Sequence, residues 1–238
     1  MGNARGGALG DCLAAVLDAA GYDVWREFYI NDAGNQIEKF GLSLEVRYLQ
    51  LFLGDQAPEM PEDAYHGDDI REHARHYADE HGDTLVAPPS DQRRKALVAY
   101  ALPLNIEKMK ADLLKYRIEY DQWFRESSLH DDGEVREVLD LLGQKGLTYE
   151  KDGALWYKAS ENGGEKDEVL VRANGTPTYF AADIAYHRNK FRRGFDTCID
   201  VWGADHHGHV ARMKGAMDAV GLDGSKLQVV LIQLVRLM

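Results

Sequence analysis

The stretch from Thr176 to Arg212 restricts what this chain can fold into more than any other. Thr176-Pro177-Thr178-Tyr179-Phe180-Ala181-Ala182-Asp183-Ile184-Ala185-Tyr186-His187 reads as a helix, and Cys198-Ile199-Asp200-Val201-Trp202 as a buried strand. That strand runs directly into Gly203-Ala204-Asp205-His206-His207-Gly208-His209. In an open parallel sheet, ligands bind outside the carboxyl ends of strands. A glycine followed by a carboxylate and three imidazoles at such an end marks a candidate site. Tyr179 and Asp183 are four residues apart, hence on one helical face, and can turn toward the same pocket.

Three readings of Gly203–His209 compete. In the first, Gly203 and Ala204 let a flat base approach the backbone, Asp205 or His206 bonds ribose hydroxyls, and His209 faces phosphate one turn later. In the second, Asp205 caps a helix and the histidines are surface polar groups. The third is a metal site, since Asp and His are good ligands for zinc or iron. Its geometry is poor, because His206 and His207 are adjacent and point in different directions. Nucleotide binding ranks first, the helix cap second and metal third. Tyr179 with Asp183 suits a cation: a carboxylate accepts a guanidinium in a bidentate fork, and the tyrosine adds a hydroxyl and a π face. For the pair taken alone the better reading is an ordinary exposed Asp183 and a Tyr179 packed in the core; the position just before the Gly203 strand is what favours a site.

The rest of the chain supplies the frame. Leu9, Leu13, Val16, Leu17 and Ala20 fall at helical spacing, with Gly21 as a stop. Tyr22–Ile30 reads as a strand, ending at Asn31-Asp32-Ala33-Gly34, where Asn31 or Asp32 is expected to cap a helix running to about Leu53. This α–β–α order is the rhythm of a doubly wound sheet whose first strand is missing. Between Gly54 and Pro89 the composition shifts to Asp, Glu and His, punctuated by prolines. Helices are predicted over 68–82, 91–114 and 132–145. An extended segment is predicted over 116–126, strands over 149–157 and 168–172, and a further strand from Lys226. The expected organisation is a first half-domain at 1–57, an α+β insertion at 58–172 and a second half-domain at 173–238. His66, Asp68, Asp69, His73 and His76 read as a solvated face.

Composition narrows the function classes. No run approaches the length of a membrane span, and nothing at the N-terminus resembles a secretory leader. Cys12 and Cys198 both sit in apolar patterns and read as reduced core residues of a cytoplasmic protein. The formal net charge of −12 argues against tight unaided binding to DNA or RNA. Of two basic clusters, Gln92–Lys95 reads as a solvated helix face, whereas Arg188–Arg193 lies beside the candidate pocket and is the better candidate to meet an anion.

Taken in order, several motifs resemble the catalytic core of a bacterial arginyl-tRNA synthetase, a class I aminoacyl-tRNA synthetase. They are Gly2-Asn3-Ala4-Arg5-Gly6-Gly7-Ala8-Leu9-Gly10-Asp11, Tyr29–Gln36, Glu126-Ser127-Ser128-Leu129, Asp152–Trp156, Val169–Arg172, Thr176–His187 and Gly203–Arg212. The resemblance covers essentially all 238 residues. It implies an α/β fold: a Rossmann-type parallel sheet, incomplete and split by an α+β insertion. It also implies a two-step reaction, in which the arginine carboxylate attacks the α-phosphate of ATP and the terminal ribose hydroxyl of arginine tRNA then takes the arginyl group. Tyr179, Asp183, Asp205 and His206 would bind arginine. Gly203, Ala204, Asp205 and His209 would contact ATP, with Mg2+ accompanying it and no protein-bound structural metal. Gly2 and Asn3, from the family's His-(Ile/Val)-Gly-(His/Asn) signature, would serve as catalytic residues stabilising phosphate at a helix N-terminus.

The departures matter as well. The signature's leading histidine would precede Met1, and the Lys-Met-Ser-Lys-type loop would follow Met238. A catalytic-core fragment, inactive alone, is therefore expected. The alternatives are a non-catalytic relative that binds arginine or a nucleotide, and a metal-dependent hydrolase using Asp205, His206, His207 and His209.

Overall fold

A computed structural model describes residues 2–233; the side chains of residues 2–4 and of Asp205 lie outside that description. The chain divides into two compact units, one built from residues 1–30 and 120–238, the other from 31–119.

The second unit is helical. Helix α2 (Gly34–Leu53), α3 (Asp68–His81) and α4 (Ser90–Lys115) bury Phe40, Leu44, Tyr48, Ile70 and Leu97 against one another. The Tyr48 hydroxyl donates to the Gly82 carbonyl at 2.7 Å and accepts from the Leu85 amide at 3.1 Å, tying the α3–α4 loop to α2. Of the Gln92–Lys95 cluster, expected to be a solvated helix face, Gln92 and Lys95 are exposed, but Arg93 is part of this interior and Arg94 half-buried. Arg93 is 8% exposed and donates to the carbonyls of Leu85, Val86 and Pro88 and to Glu45, which Arg94 also meets. Burial pushes the Glu45 carboxyl up, and the hydrogen bonds from Arg94, Ser90 and Arg93 outweigh it to hold the group below its usual range. His66, Asp68, Asp69 and His76 are exposed, but His73 is half-buried against Asn105 at 2.7 Å.

The first unit is α/β. Helix α1 (Gly2–Ala19) precedes strand β1 (Glu27–Ile30), which pairs in parallel with β2 (Gln122–Arg125), bringing Tyr29 opposite Phe124. Two short helices follow, α5 (Glu126–Asp131) and α6 (Glu134–Gln144). An antiparallel sheet comes next, β3 (Thr148–Lys151), β4 (Ala154–Tyr157) and β5 (Glu168–Val171). Helix α7 (Tyr179–Arg192) leads to β6 (Cys198–Gly203), and α8 (His207–Ala219) crosses over to β7 (Leu227–Ile232), parallel to β6 from Cys198↔Leu227 to Gly203↔Ile232. The parallel strands thus stand as two pairs, the α/β class expected. One core joins Phe124, Leu129, Val138, Tyr157, Leu170, Phe180, Ile184, Met213 and Leu227.

The compact units divide at 30/31 and 119/120, and the expected insertion at 58–172 spans parts of both. Several expectations about single elements are corrected by the packing. Tyr157 and Leu170 of the antiparallel sheet share a core with α7 and α8, whereas α2 buries its apolar face against α3 and α4. The extra unit therefore has no strand among the described residues. The strand predicted over 149–157 is two strands turned at Asp152-Gly153, both with positive φ (53° and 74°), the backbone that a two-residue hairpin requires. The first strand begins at Glu27, five residues later than expected. Ala33, not Asn31 or Asp32, is the N-cap of α2. Cys12 is exposed, while Cys198 is buried. On α1, Val16 is 66% exposed and Leu9 40%, because the contact with β6 is made by Gly10, whose missing Cβ would lie 3.7 Å from Val201.

Candidate functional site

The site is built where α7 and α8 meet beside the end of β6. Thr178 fixes the entry of α7: its amide donates to the Leu170 carbonyl at 2.8 Å and its hydroxyl to the Val169 carbonyl at 2.6 Å. The hydroxyl, turned toward Val169, makes no cap hydrogen bond to the first turn of α7. The helix then presents Tyr179, Asp183, His187 and Lys190 along one side, while Phe180, Ala181, Ile184 and Ala185 enter the core.

From α8, His209 meets both Tyr179 and Asp183. Its ring lies 5.9 Å from that of Tyr179, and its Nε2 is 3.0 Å from Asp183 Oδ2. Its Nδ1 accepts the Nε–H of Arg212 at 2.7 Å. An imidazole that accepts at Nδ1 carries its proton on Nε2, so His209 donates to Asp183. Arg212 further donates to Glu168 of β5 and, at 3.1 Å, to the Tyr179 hydroxyl, with its guanidinium 5.6 Å from the centre of the Phe180 ring. Glu168, Tyr179, His206, His209 and Arg212 line a cavity of about 260 Å3, with Glu165 and Lys166 also in its wall. Asp183 is outside that lining and reaches it through His209, with 27% of its side chain exposed.

A second polar layer lies along α7, one helical turn further on. His187 donates from Nδ1 to the Asp183 carbonyl at 2.7 Å and from Nε2 to Asp200 Oδ2 at 2.6 Å. Lys190 Nζ donates to Asp200 Oδ1 at 2.7 Å and sits 4.3 Å from the centre of the Tyr186 ring. Burial opposes the charge on Asp200, yet Lys190 and His187 together hold its carboxyl far below the ordinary carboxylate range. The Tyr186 hydroxyl donates to Glu27 at 2.6 Å, and burial together with that carboxylate pushes its ionisation far up.

Of the expected site residues, Tyr179, Asp183, His206 and His209 come together: the His206 ring is 6.4 Å from that of His209. Gly203 ends β6, and Ala204–His206 form the turn into α8. The side chains of Asn3 and Asp205 lie outside the described residues, and Gly2 opens α1. One expected contact, that of His209 with phosphate, is not open in this geometry. His209 is 4% exposed and uses both ring nitrogens within the protein, which leaves none for phosphate or for a metal. Among the described residues no group of three or more Asp, Glu, His or Cys is placed to hold a metal ion. The basic cluster beside the site is also satisfied internally: Arg188 and Arg192 meet Glu137, Lys190 meets Asp200, and Arg193 meets Glu27. Arg212 and Glu168 were not anticipated. Arg212 is three residues beyond His209 on one helix face, a spacing that could have revealed it; Glu168 arrives from another element and left no local signal.

A parallel strand–helix–strand unit with polar groups gathered at the carboxyl end of its first strand defines a Rossmann-type ligand-binding domain. The model of the class I tRNA synthetase catalytic domain for arginine (R) matches residues 1–232, and the chain belongs to this family. It is 64% identical over 238 residues to the arginine–tRNA ligase of Acetivibrio thermocellus and 66% identical to that of Caldanaerobacter subterraneus subsp. tengcongensis. All of this chain is covered in both cases, but only 42% of either relative. A crystal structure from Campylobacter jejuni assigned to arginyl-tRNA synthetase superposes with a TM-score of 0.87 at 36% identity, over 98% of this chain and 51% of that one. The Thermus thermophilus arginyl-tRNA synthetase, at 22% identity and a TM-score of 0.67, shares the fold.

Proposed function

We propose that this chain is part of an arginine–tRNA ligase, acting in the cytoplasm on L-arginine, ATP with its Mg2+, and arginine tRNA. The observation that carries the reading is the pairing of Asp183 with Tyr179 around His209. A carboxylate whose one oxygen accepts from a neutral imidazole keeps its negative charge, and the Tyr179 ring stands 5.9 Å from that same imidazole. A guanidinium matches that charge and that shape. Among the described residues no helix is long and apolar enough to cross a membrane.

In this reading Asp183 and Tyr179 hold the arginine side chain, and His206 and Asp205 border the amino acid or the ribose. Gly203 and Ala204 admit adenosine beside the end of β6, and Gly2 and Asn3 at the start of α1 face the phosphates, where helix amides favour negative charge. The arginine α-carboxylate then attacks the α-phosphorus; the bond to the bridging oxygen breaks and pyrophosphate leaves. The terminal ribose hydroxyl of the tRNA next attacks the mixed anhydride and releases AMP. Such a site accelerates reaction by holding the two reactants in line and by stabilising charge. The test is arginine-dependent charging of tRNA, with AMP release, by a full-length protein containing this chain. Charging of arginine tRNA with arginine alone supports the reading; charging with another amino acid, or none by a folded protein, contradicts it.

A further inference from the structure

We propose that Arg212 is a positioning residue for arginine recognition: by donating to His209 it locks that ring as the neutral Nε2–H tautomer, so that Asp183 keeps an uncancelled negative charge for the incoming guanidinium. The inference rests on the arginine-site reading above and assigns a role to a residue that the reading does not use.

The geometry fixes the protons. Arg212 Nε is 2.7 Å from His209 Nδ1, and an arginine N–H can only donate, so the nitrogen it faces must offer a lone pair. The single ring proton then sits on Nε2, 3.0 Å from Asp183 Oδ2. A second proton on Nδ1 would set two donors and two positive charges against each other in a ring that is only 4% exposed. Were His209 cationic, it would close an ion pair with Asp183, and a substrate cation would have to compete with it.

Arg212 is itself held in place and compensated. One terminal nitrogen meets Glu168, the other meets the Tyr179 hydroxyl at 3.1 Å, and the guanidinium plane lies near the Phe180 ring at 5.6 Å. With Arg212 balanced by Glu168 and His209 neutral, the charge left over in this cluster is that of Asp183. The same arginine thus sets the electrostatics of one predicted guanidinium contact and orients the hydroxyl of the other. A lysine could not do both, since the two jobs use separate nitrogens of one planar fork.

The experiment combines ring-15N histidine NMR with calorimetric titration of L-arginine, on the chain as it stands. His209 is assigned by loss of its signals in His209→Gln. The wild type is expected to show an acceptor-type Nδ1 and a protonated Nε2 for His209 at neutral pH. Arg212→Met is expected to turn both nitrogens into the protonated type and to weaken arginine binding about tenfold or more. In His209→Gln the amide can donate to Asp183 and accept from Arg212 but cannot become cationic. Whatever affinity His209→Gln retains, adding Arg212→Met to it should cost clearly less than in the wild type. An unchanged His209 spectrum in Arg212→Met overturns the proposal, as does an equal loss of affinity in both backgrounds. Should Arg212→Met fail to fold, the wild-type spectrum decides: a protonated Nδ1 on His209 at neutral pH overturns the proposal. If the spectra follow expectation but a folded wild type binds no arginine, it is the arginine-site reading that falls, and the recognition role of Arg212 with it.

Discussion

Replacing Asp200 by Asn should destabilise the first unit, because one carboxylate holds two cations of α7 against β6. His187 and Lys190 each place a nitrogen within 2.7 Å of its oxygens, and the three side chains are 3%, 10% and 13% exposed for His187, Lys190 and Asp200. Breaking a buried ion pair by removing one partner costs about 3–5 kcal/mol, since the remaining charge stays desolvated. The lower end applies here. The new amide oxygen can still accept from one of the two donors, His187 or Lys190, leaving only the other unpaired. Urea unfolding followed by tryptophan fluorescence reads the correct unit, because Trp25, Trp123, Trp156 and Trp202 all belong to it. The pH dependence adds a second constraint. The folded carboxyl lies far below the ordinary value of 3.8, so the unfolded state takes up protons first; the stabilisation begins to fall as pH drops toward that value and is fully lost only below the folded one. The gap between wild type and variant should therefore narrow between about pH 5 and pH 3, approaching about 1.4 kcal/mol per pH unit below the unfolded value. Adding Lys190→Met to Asp200→Asn should recover part of the loss. A loss below about 1 kcal/mol at neutral pH, or a gap that does not narrow in acid, would refute the reasoning.

Gly215→Ala should destabilise the same unit by about 3 kcal/mol or more, because a Cβ there would lie 1.6 Å from the backbone carbonyl oxygen of Asn162; thermal unfolding of the variant reads it, and a wild-type midpoint would show that α8 does not pack so closely. A thiol reagent should modify exposed Cys12 rapidly in the native chain and Cys198 only after denaturation, since burial raises the Cys198 thiol to about 11; two fast thiols would contradict the placement of β6.

What the sequence revealed followed physical range. The long helices were legible from periodicity: α3 spans Asp68–His81 and α4 Ser90–Lys115, each within a residue of expectation at either end. The i, i+4 pair of Tyr179 and Asp183 was legible for the same reason, and both side chains meet His209. Helix α5 is six residues long, too short for periodicity to register. The Asp152-Gly153 turn was missed although its residues are those a tight hairpin favours. The division into units was illegible because it depends on which apolar faces find each other, and α2 turned to α3 and α4. The basic clusters misled for a related reason. Glu45, Glu27 and Glu137 neutralise Arg93, Arg193 and Arg188 from positions 48 or more residues away, so neither solvation nor an anionic ligand could be read from the cations alone.

The central claim is that Asp183 and Tyr179 form a site for a guanidinium, and calorimetric titration of this chain with L-arginine and with L-citrulline tests it most directly. Citrulline keeps the length and shape of the side chain and replaces the cation by a neutral urea. Hydrogen bonds to a charged partner are worth about 1.5–3 kcal/mol, so arginine should bind about 10- to 100-fold more tightly than citrulline. Equal affinities, or tighter binding of citrulline, would contradict the account.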